Sequence, residues 1–239
     1  ERFLDFDDML RRFAEEERYA SLEYRQTDEA GERWMELSYR MVQLEEGGNV
    51  YAYLSVTDID ERKRRELDLE NKAEHDALTG LLNRQSASLR MTDALERTVE
   101  RGYRGAFAII DLDDFKQVND TYGHLSGDTV LAGVAQHLRT AFRKGDLICR
   151  WGGDEFVVYC EDMEREDMTK RIADLSAGPW NATVQDDQVI ELSVSTGIAM
   201  VPQDGTAFKT VYERADRALY QAKSKAKAHF CFFETGSDA

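Results

Sequence analysis

The spacing of apolar residues changes along this chain, and each change marks an element. In residues 1 to 22, Phe3, Leu4, Phe6, Met9, Leu10 and Phe13 recur at roughly helical intervals. Three strand-like runs follow, Ser21–Arg25, Arg33–Val42 and Tyr51–Thr57, separated by the turn-forming stretches Asp28-Glu29-Ala30-Gly31 and Glu45-Glu46-Gly47-Gly48-Asn49. That pattern predicts an antiparallel meander. Residues 60 to 77 are almost all charged, with Leu67, Leu69, Ala73 and Ala77 the apolar exceptions. They read as a linker, either a solvated helix or a short two-stranded coiled coil.

From Asp76 the pattern is that of a second domain. A turn leads into a helix ending near Arg101, and Gly105–Leu112 is a continuous apolar run closed by Asp111, as expected of a strand buried on both faces. A short polar helix (113 to 122), a helix from about Gly127 to Phe142, and a hairpin over 147 to 160 come next. A helix at Arg165–Ser176, one long strand Val189–Val201, a helix over Ala207–Lys227 and a final strand His229–Phe233 complete the order. The core is β-α-β-β-α-β, which predicts an α+β fold with a mostly antiparallel central sheet behind a small N-terminal β segment. The boundaries predicted are 1–57, a helical linker 58–76, and a domain over 77–239.

This order has a geometric consequence. The first core strand lies antiparallel to the third, so its end (Asp111) meets the start of the third (Asp154, Glu155). The stretch Arg150-Trp151-Gly152-Gly153-Asp154-Glu155-Phe156 reads as a hairpin whose Gly-Gly pair forms the turn, because turns matching strand twist need positive φ. Clustered carboxylates repel one another, and a divalent cation resolves that cost. With oxygen ligands and no nearby Cys or His, Mg²⁺ or Mn²⁺ suits the site better than zinc, and such a metal points to phosphoryl or nucleotidyl transfer. Lys223, Lys225 and Lys227 either bind phosphates or complement a helix C-terminus.

Composition narrows the partners. Lys+Arg 31 against Asp+Glu 47 gives a net charge of −16, which argues against nucleic acid or an anionic membrane as the main partner. No apolar run approaches the length of a membrane span. Cys149, Cys160 and Cys231 lack zinc-ligand spacing and read as buried thiols of a reducing, cytoplasmic compartment. A start at Glu1, without Met or a signal sequence, reads as a piece of a longer protein whose missing part could tether it to a membrane.

Two resemblances sharpen the expectation. The strand "EYRQTDEAGERWMEL" with the exit "DIDERKRRE" resembles the C-terminal half of a PAS sensor domain. "DALTGLLNR" (76 to 84), "DLDDFKQVNDTYGHLSGD" (111 to 128), "RWGGDEF" (150 to 156), "SVSTGIA" (193 to 199) and "ADRALYQAKSKAK" (215 to 227) together resemble a GGDEF domain, the diguanylate cyclase module. That resemblance implies condensation of two GTP into cyclic di-GMP. It implies Asp111, Asp154 and the Leu112 carbonyl as metal ligands, and Asp154 as proton acceptor assisted by Glu155. Lys116 would stabilise phosphate charge, Asn119 and Asp128 with His124 nearby would read guanine, and Lys223 with Lys227 would hold the triphosphate. The family usually has Gly-Arg where Ala226-Lys227 stands, and Lys lacks the bidentate fork of Arg. Asn119 and Asp128 also fit turn or cap roles, and His124 a turn histidine. Arg143-Lys144-Gly145-Asp146 matches the family's inhibitory product site; alone, it would be a surface ion pair. One site per domain and two GTP per product imply a homodimer. The competing class is a module that binds GTP or cyclic di-GMP without turnover.

Overall fold

The structure is a computed structural model. It describes residues 11–12, 15, 17–28, 31–43, 48–177, 180–183, 189–224 and 230–234. The chain divides into two compact units between Asn71 and Lys72.

In the first unit, β1 (Tyr19–Asp28), β2 (Gly31–Gln43) and β3 (Val50–Asp58) form the antiparallel meander the spacing predicts. Tyr39 and Met41 are buried at its centre. Helix α1 (Asp60–Glu74) follows. It ends before Ala77, which lies in a turn, so Ala77 is no part of a helical seam. The apolar helical spacing of residues 1 to 13 falls almost wholly outside the described residues.

The second unit contains β4 (Leu82–Asn83), α2 (Arg84–Glu100), β5 (Gly105–Leu112), α3 (Phe115–Tyr122), α4 (His124–Ala141), β6 (Leu147–Gly152) and β7 (Glu155–Glu161). These are followed by α5 (Arg165–Ala177), β8 (Trp180–Thr183), β9 (Val189–Leu192), β10 (Val194–Val201), α6 (Phe208–Ser224) and β11 (Phe230–Phe232). The main sheet has the order β11-β10-β5-β7-β6-β4. Its four central strands pair antiparallel as the β-α-β-β-α-β order requires, with β4 and β11 added parallel at the edges. Strand β5 is buried throughout, and its alternation feeds two cores. Ala108 and Ile110 pack with Val130, Val134, Leu138 and Ile172 on one face; Phe107 and Ile109 pack with Met91, Leu95, Ala215 and Leu219 on the other. Asp111 shares parity with Phe107 and Ile109, so the pleat directs it towards the α6 face.

Two expectations need correction. The predicted strand Val189–Val201 is two strands: β9 pairs with β8 in a separate two-stranded ribbon, and β10 pairs with β5 only as far as Val194 opposite Leu112. Beyond that point β5 has ended, and no ladder remains for β9 to continue. The hairpin turn is also displaced by one residue. Arg150 faces Phe156 and Gly152 faces Glu155, leaving Trp151 as a bulge. The turn residues are therefore Gly153 and Asp154 rather than the Gly-Gly pair, and Gly153 supplies the positive φ (55°).

Cys149 and Cys160 are buried, as expected, whereas Cys231, on the edge strand β11, is only half-buried. Burial pushes the Cys149 thiol up to about 12 and raises that of Cys160 as well, so both stay protonated at neutral pH.

Candidate active site

The bulge at Trp151 sets the geometry of the acids. It places Asp154 in the turn and makes Glu155 the first residue of β7, directly opposite Asp111 of β5. The Leu112 amide donates to the Asp154 carbonyl (3.4 Å), tying the turn to the end of β5. Asp111 and the adjacent pair Asp154 and Glu155, distant in sequence, thus meet at one end of the sheet, as the strand order predicts.

Their electrostatics show the strain of that convergence. Burial lifts the Asp111 carboxyl above its ordinary range despite an ion pair with Lys223 (2.6 Å), and the charges of Asp154 and Asp113 add to the effect. Glu155 is raised for the same reasons: burial first, then Asp111 and Asp154. Lys223 is delivered from above by α6, which sits close on β10 at Gly197. A Cβ there would lie 2.1 Å from the Ala215 carbonyl oxygen and 2.2 Å from the Leu219 amide nitrogen. Only glycine permits that approach. That approach brings Lys223 onto Asp111.

Two further clamps hold the acids in place, and neither was read from the sequence. Arg150 donates through Nε (3.1 Å) and Nη2 (2.9 Å) to the Gly153 carbonyl, while its Nη1 lies 3.3 Å from both carboxylate oxygens of Asp76. Asp76 also accepts from the Thr79 amide (2.8 Å) and hydroxyl (2.7 Å). Burial alone would raise its pKa, but the Thr79 hydrogen bonds and the Arg150 charge outweigh it and hold the carboxyl below its usual value. The signal available in the sequence was Asp76-x-x-Thr79, the spacing of a side-chain-capped turn. In the second clamp, Ser193 and Ser195 each donate to Asp113 (both 2.7 Å), and the Asp113 amide donates to the Ser193 carbonyl (3.0 Å). This pins the loop after Asp111 to β10. Asp114, next in line, takes a left-handed conformation (φ 56°) as the chain enters α3.

The other predicted residues lie on α3 and α4. Lys116 and Asn119 are on α3; His124 and Asp128 are on the first turns of α4, and the two helices meet at Gly123 (φ 81°). Lys116, His124 and Asp128 are exposed and Asn119 half-buried, and no hydrogen bond to another described side chain occupies any of them. Lys227 lies outside the described residues.

Arg143 and Asp146 close a turn, the Asp146 amide donating to the Arg143 carbonyl (2.9 Å). The Asp146 side chain is only 6% exposed, and its Oδ2 accepts from the Arg143 amide (2.8 Å) and from Arg171 Nη1 (2.9 Å). Its carboxylate is thus engaged within the chain rather than displayed to a ligand. Arg143, Arg171, Lys170 and His137 line a groove of about 770 Å³ between α4 and α5. Arg171 was not among the residues read from the sequence. Its signal is weak, one basic residue on a helix rich in charge.

The donor set suits a hard divalent cation. Asp111 and Asp154 offer carboxylate oxygens, and Leu112 a carbonyl. Among the described residues, no three His, Cys, Asp or Glu side chains close on one point; Mg²⁺ ordinarily completes its octahedron with water and phosphate oxygens.

Comparison with known proteins places this architecture. Residues 73–229 match the family model "Diguanylate cyclase, GGDEF domain". The chain is 36% identical over 179 residues to the bifunctional diguanylate cyclase/cyclic di-GMP phosphodiesterase MucR of Pseudomonas aeruginosa, covering 74% of this chain and 26% of that protein. Among solved structures, the GGDEF domain of TpbB from Pseudomonas aeruginosa superposes with a TM-score of 0.65 at 33% identity, covering 67% of this chain and 94% of that one. The coiled coil and GGDEF domain of DgcB from Caulobacter crescentus, solved with c-di-GMP, gives a TM-score of 0.64 at 27% identity, covering 72% and 92%. The chain spans only about a quarter of MucR, and the match leaves the N-terminal meander outside it. No helix among the described residues is long and apolar enough to cross a membrane. From its matched residues, its sheet order and its convergent acids, the chain belongs to the GGDEF family of diguanylate cyclase domains.

Proposed function

We propose that this chain condenses two molecules of GTP into cyclic di-GMP with release of two pyrophosphates. The observation that carries the reading is the convergence of Asp111, Asp154 and Glu155 at one end of the sheet, with Lys223 on Asp111. Each half-reaction forms a bond from a ribose 3′-oxygen to the α-phosphorus of the other GTP and breaks the bond from that phosphorus to the bridging oxygen of pyrophosphate. The hydroxyl proton passes to Asp154, with Glu155 assisting. Asp111, Asp154 and the Leu112 carbonyl would hold Mg²⁺ or Mn²⁺, which would supply charge neutralisation and activate the attacking hydroxyl. Lys116 steadies charge on the phosphates, and Lys223 exchanges Asp111 for the triphosphate, joined by Lys227. Asn119 and Asp128 read the guanine edge beside His124, a carboxylate accepting from the ring N–H and amino group. Chelation should stop product formation, and Mg²⁺ or Mn²⁺ should restore it; turnover surviving exhaustive chelation contradicts the metal assignment.

Product is proposed to inhibit through the groove beside Arg143. The inward-turned Asp146 contributes there by fixing Arg171 and the Arg143 backbone. Arg143→Ala should relieve inhibition by added cyclic di-GMP while initial turnover stays close to wild type. Equal sensitivity in both proteins would return Arg143 and Asp146 to a structural ion-pair turn.

One domain offers one acidic cluster, so two GTP require two domains facing each other, most simply as a two-fold dimer. Specific activity should therefore rise with protein concentration. A constant value across dilution, with the protein monomeric by ultracentrifugation throughout, would eliminate the dimer.

A further inference from the structure

Asn119 and Asp128 stand on two different helices, so their separation depends on how closely α3 and α4 approach. At Gly127 the two helices are in tight contact. A Cβ built there would lie 2.0 Å from Asn119 Oδ1, 3.0 Å from its Cγ and 3.2 Å from Phe115 Cζ. The first of these is far inside any tolerated contact. A ring edge can give by the few tenths of an ångström that the last requires, but the amide would have to leave. Gly127 is buried in the first turns of α4, and its backbone φ is not in the left-handed region. Conformational freedom therefore does not explain a glycine here; the space taken by the Asn119 amide does. Glycine within a helix is unfavourable relative to alanine, and what that cost secures here is room for the Asn119 amide.

Resting on the proposal that Asn119 reads guanine, we infer that Gly127 is a specificity-determining positioning residue: its missing side chain is the seat that holds the Asn119 amide facing the base beside Asp128. Gly127 touches no substrate itself. It acts by leaving the amide one place to lie, with its hydrogen-bonding groups free of other described side chains. Any larger residue drives the amide out of the pocket and removes one of the two guanine contacts. Adenine presents a different edge and should not gain from the amide's placement, so the effect should fall on guanine alone.

The test is a double-mutant cycle on the full chain with 3′-deoxy-GTP and 3′-deoxy-ATP, which bind but lack the hydroxyl needed to cyclise. Gly127→Ala should weaken 3′-deoxy-GTP roughly ten-fold, the scale of one lost hydrogen bond to a buried polar partner, and leave 3′-deoxy-ATP unchanged. Asn119→Ala should do the same. Adding Gly127→Ala to Asn119→Ala should cost almost nothing more, because no amide remains to displace. Wild-type guanine affinity in Gly127→Ala, multiplied losses in the double variant, or an equal loss for both nucleotides would overturn the inference while leaving the guanine pocket standing. Wild-type discrimination in Asn119→Ala would overturn the pocket and the inference together. If Gly127→Ala alone does not fold, the double variant should, since the obstructing amide is gone; failure of both would assign Gly127 to packing and overturn the inference.

Discussion

Asp154→Asn should lower cyclic di-GMP formation by at least ~10²-fold, the scale of a lost proton acceptor in a reaction that must remove a hydroxyl proton. The substitution keeps the shape of the turn residue and its carbonyl, which accepts from the Leu112 amide. It removes a charge that sits among Asp111 and Glu155 and raises the pKa of both. Neutralising one member of a mutually repelling cluster should not destabilise the fold. The thermal midpoint of Asp154→Asn should equal or exceed that of wild type, so that activity and stability move in opposite directions. Parallel assays of cyclic di-GMP formation and thermal melting check this, and undiminished turnover in Asp154→Asn would remove the proposed role of the turn acid. A loss of activity accompanied by a large drop in melting temperature would instead mark Asp154 as structural.

The second large effect concerns a residue that touches no substrate. Arg150→Ala removes three donors at once, two to the Gly153 carbonyl and one shared by the Asp76 carboxylate. Asp76 keeps Thr79, so the turn at 76 to 80 survives while the hairpin tip is released. Hydrogen bonds to charged groups contribute ~1.5–3 kcal/mol each when buried, and this pair is partly exposed, so a total loss of about 2 kcal/mol is expected. Activity should suffer more than stability, because a displacement of ~1 Å in a catalytic group can cost ~10²-fold. The pH dependence follows from Asp76, whose carboxyl is held below its ordinary 3.8 in the folded chain. A depressed acid stabilises the fold above its unfolded pKa, and that contribution is lost as pH falls through the lower folded value. The stability gap between wild type and Arg150→Ala should therefore be full at neutral pH and narrow below about pH 4. What remains at low pH reports the bonds to the Gly153 carbonyl. Melting curves across that range check the expectation, and a gap independent of pH would mean that Asp76 and Arg150 are not coupled.

Much of this arrangement was legible in the sequence because it rests on long-period patterns. A fully apolar run ending in an acid can hardly be anything but a central strand, and once Gly105–Leu112 is placed, the strand order brings Asp111 to Glu155. What escaped was local and depended on side-chain partners. The bulge at Trp151 is invisible to alternation, yet it moves Asp154 into the turn itself. The break at Ser193 was masked because apolar residues continue on both sides, while the ladder they join changes from β8 to β5. Ser193 and Ser195, read as part of one long strand, are the donors that fix Asp113. Asp146 was read with Arg143 alone, and its partner Arg171, on a helix 25 residues on, is a tertiary contact with no short-range signature. Gly127 marked the start of a predicted helix, whereas its close neighbour is the Asn119 amide eight positions earlier.

The central claim is that the acids catalyse nucleotidyl transfer and do not merely bind nucleotide. The most direct measurement is the stoichiometry of products when the chain is incubated with GTP and Mg²⁺ at a concentration favouring association. Two pyrophosphates released for each cyclic di-GMP formed, with GTP consumed to match and ATP left untouched, is the result expected. GTP bound yet recovered unchanged, with no pyrophosphate at any protein concentration, would contradict it and make this chain a nucleotide-binding module.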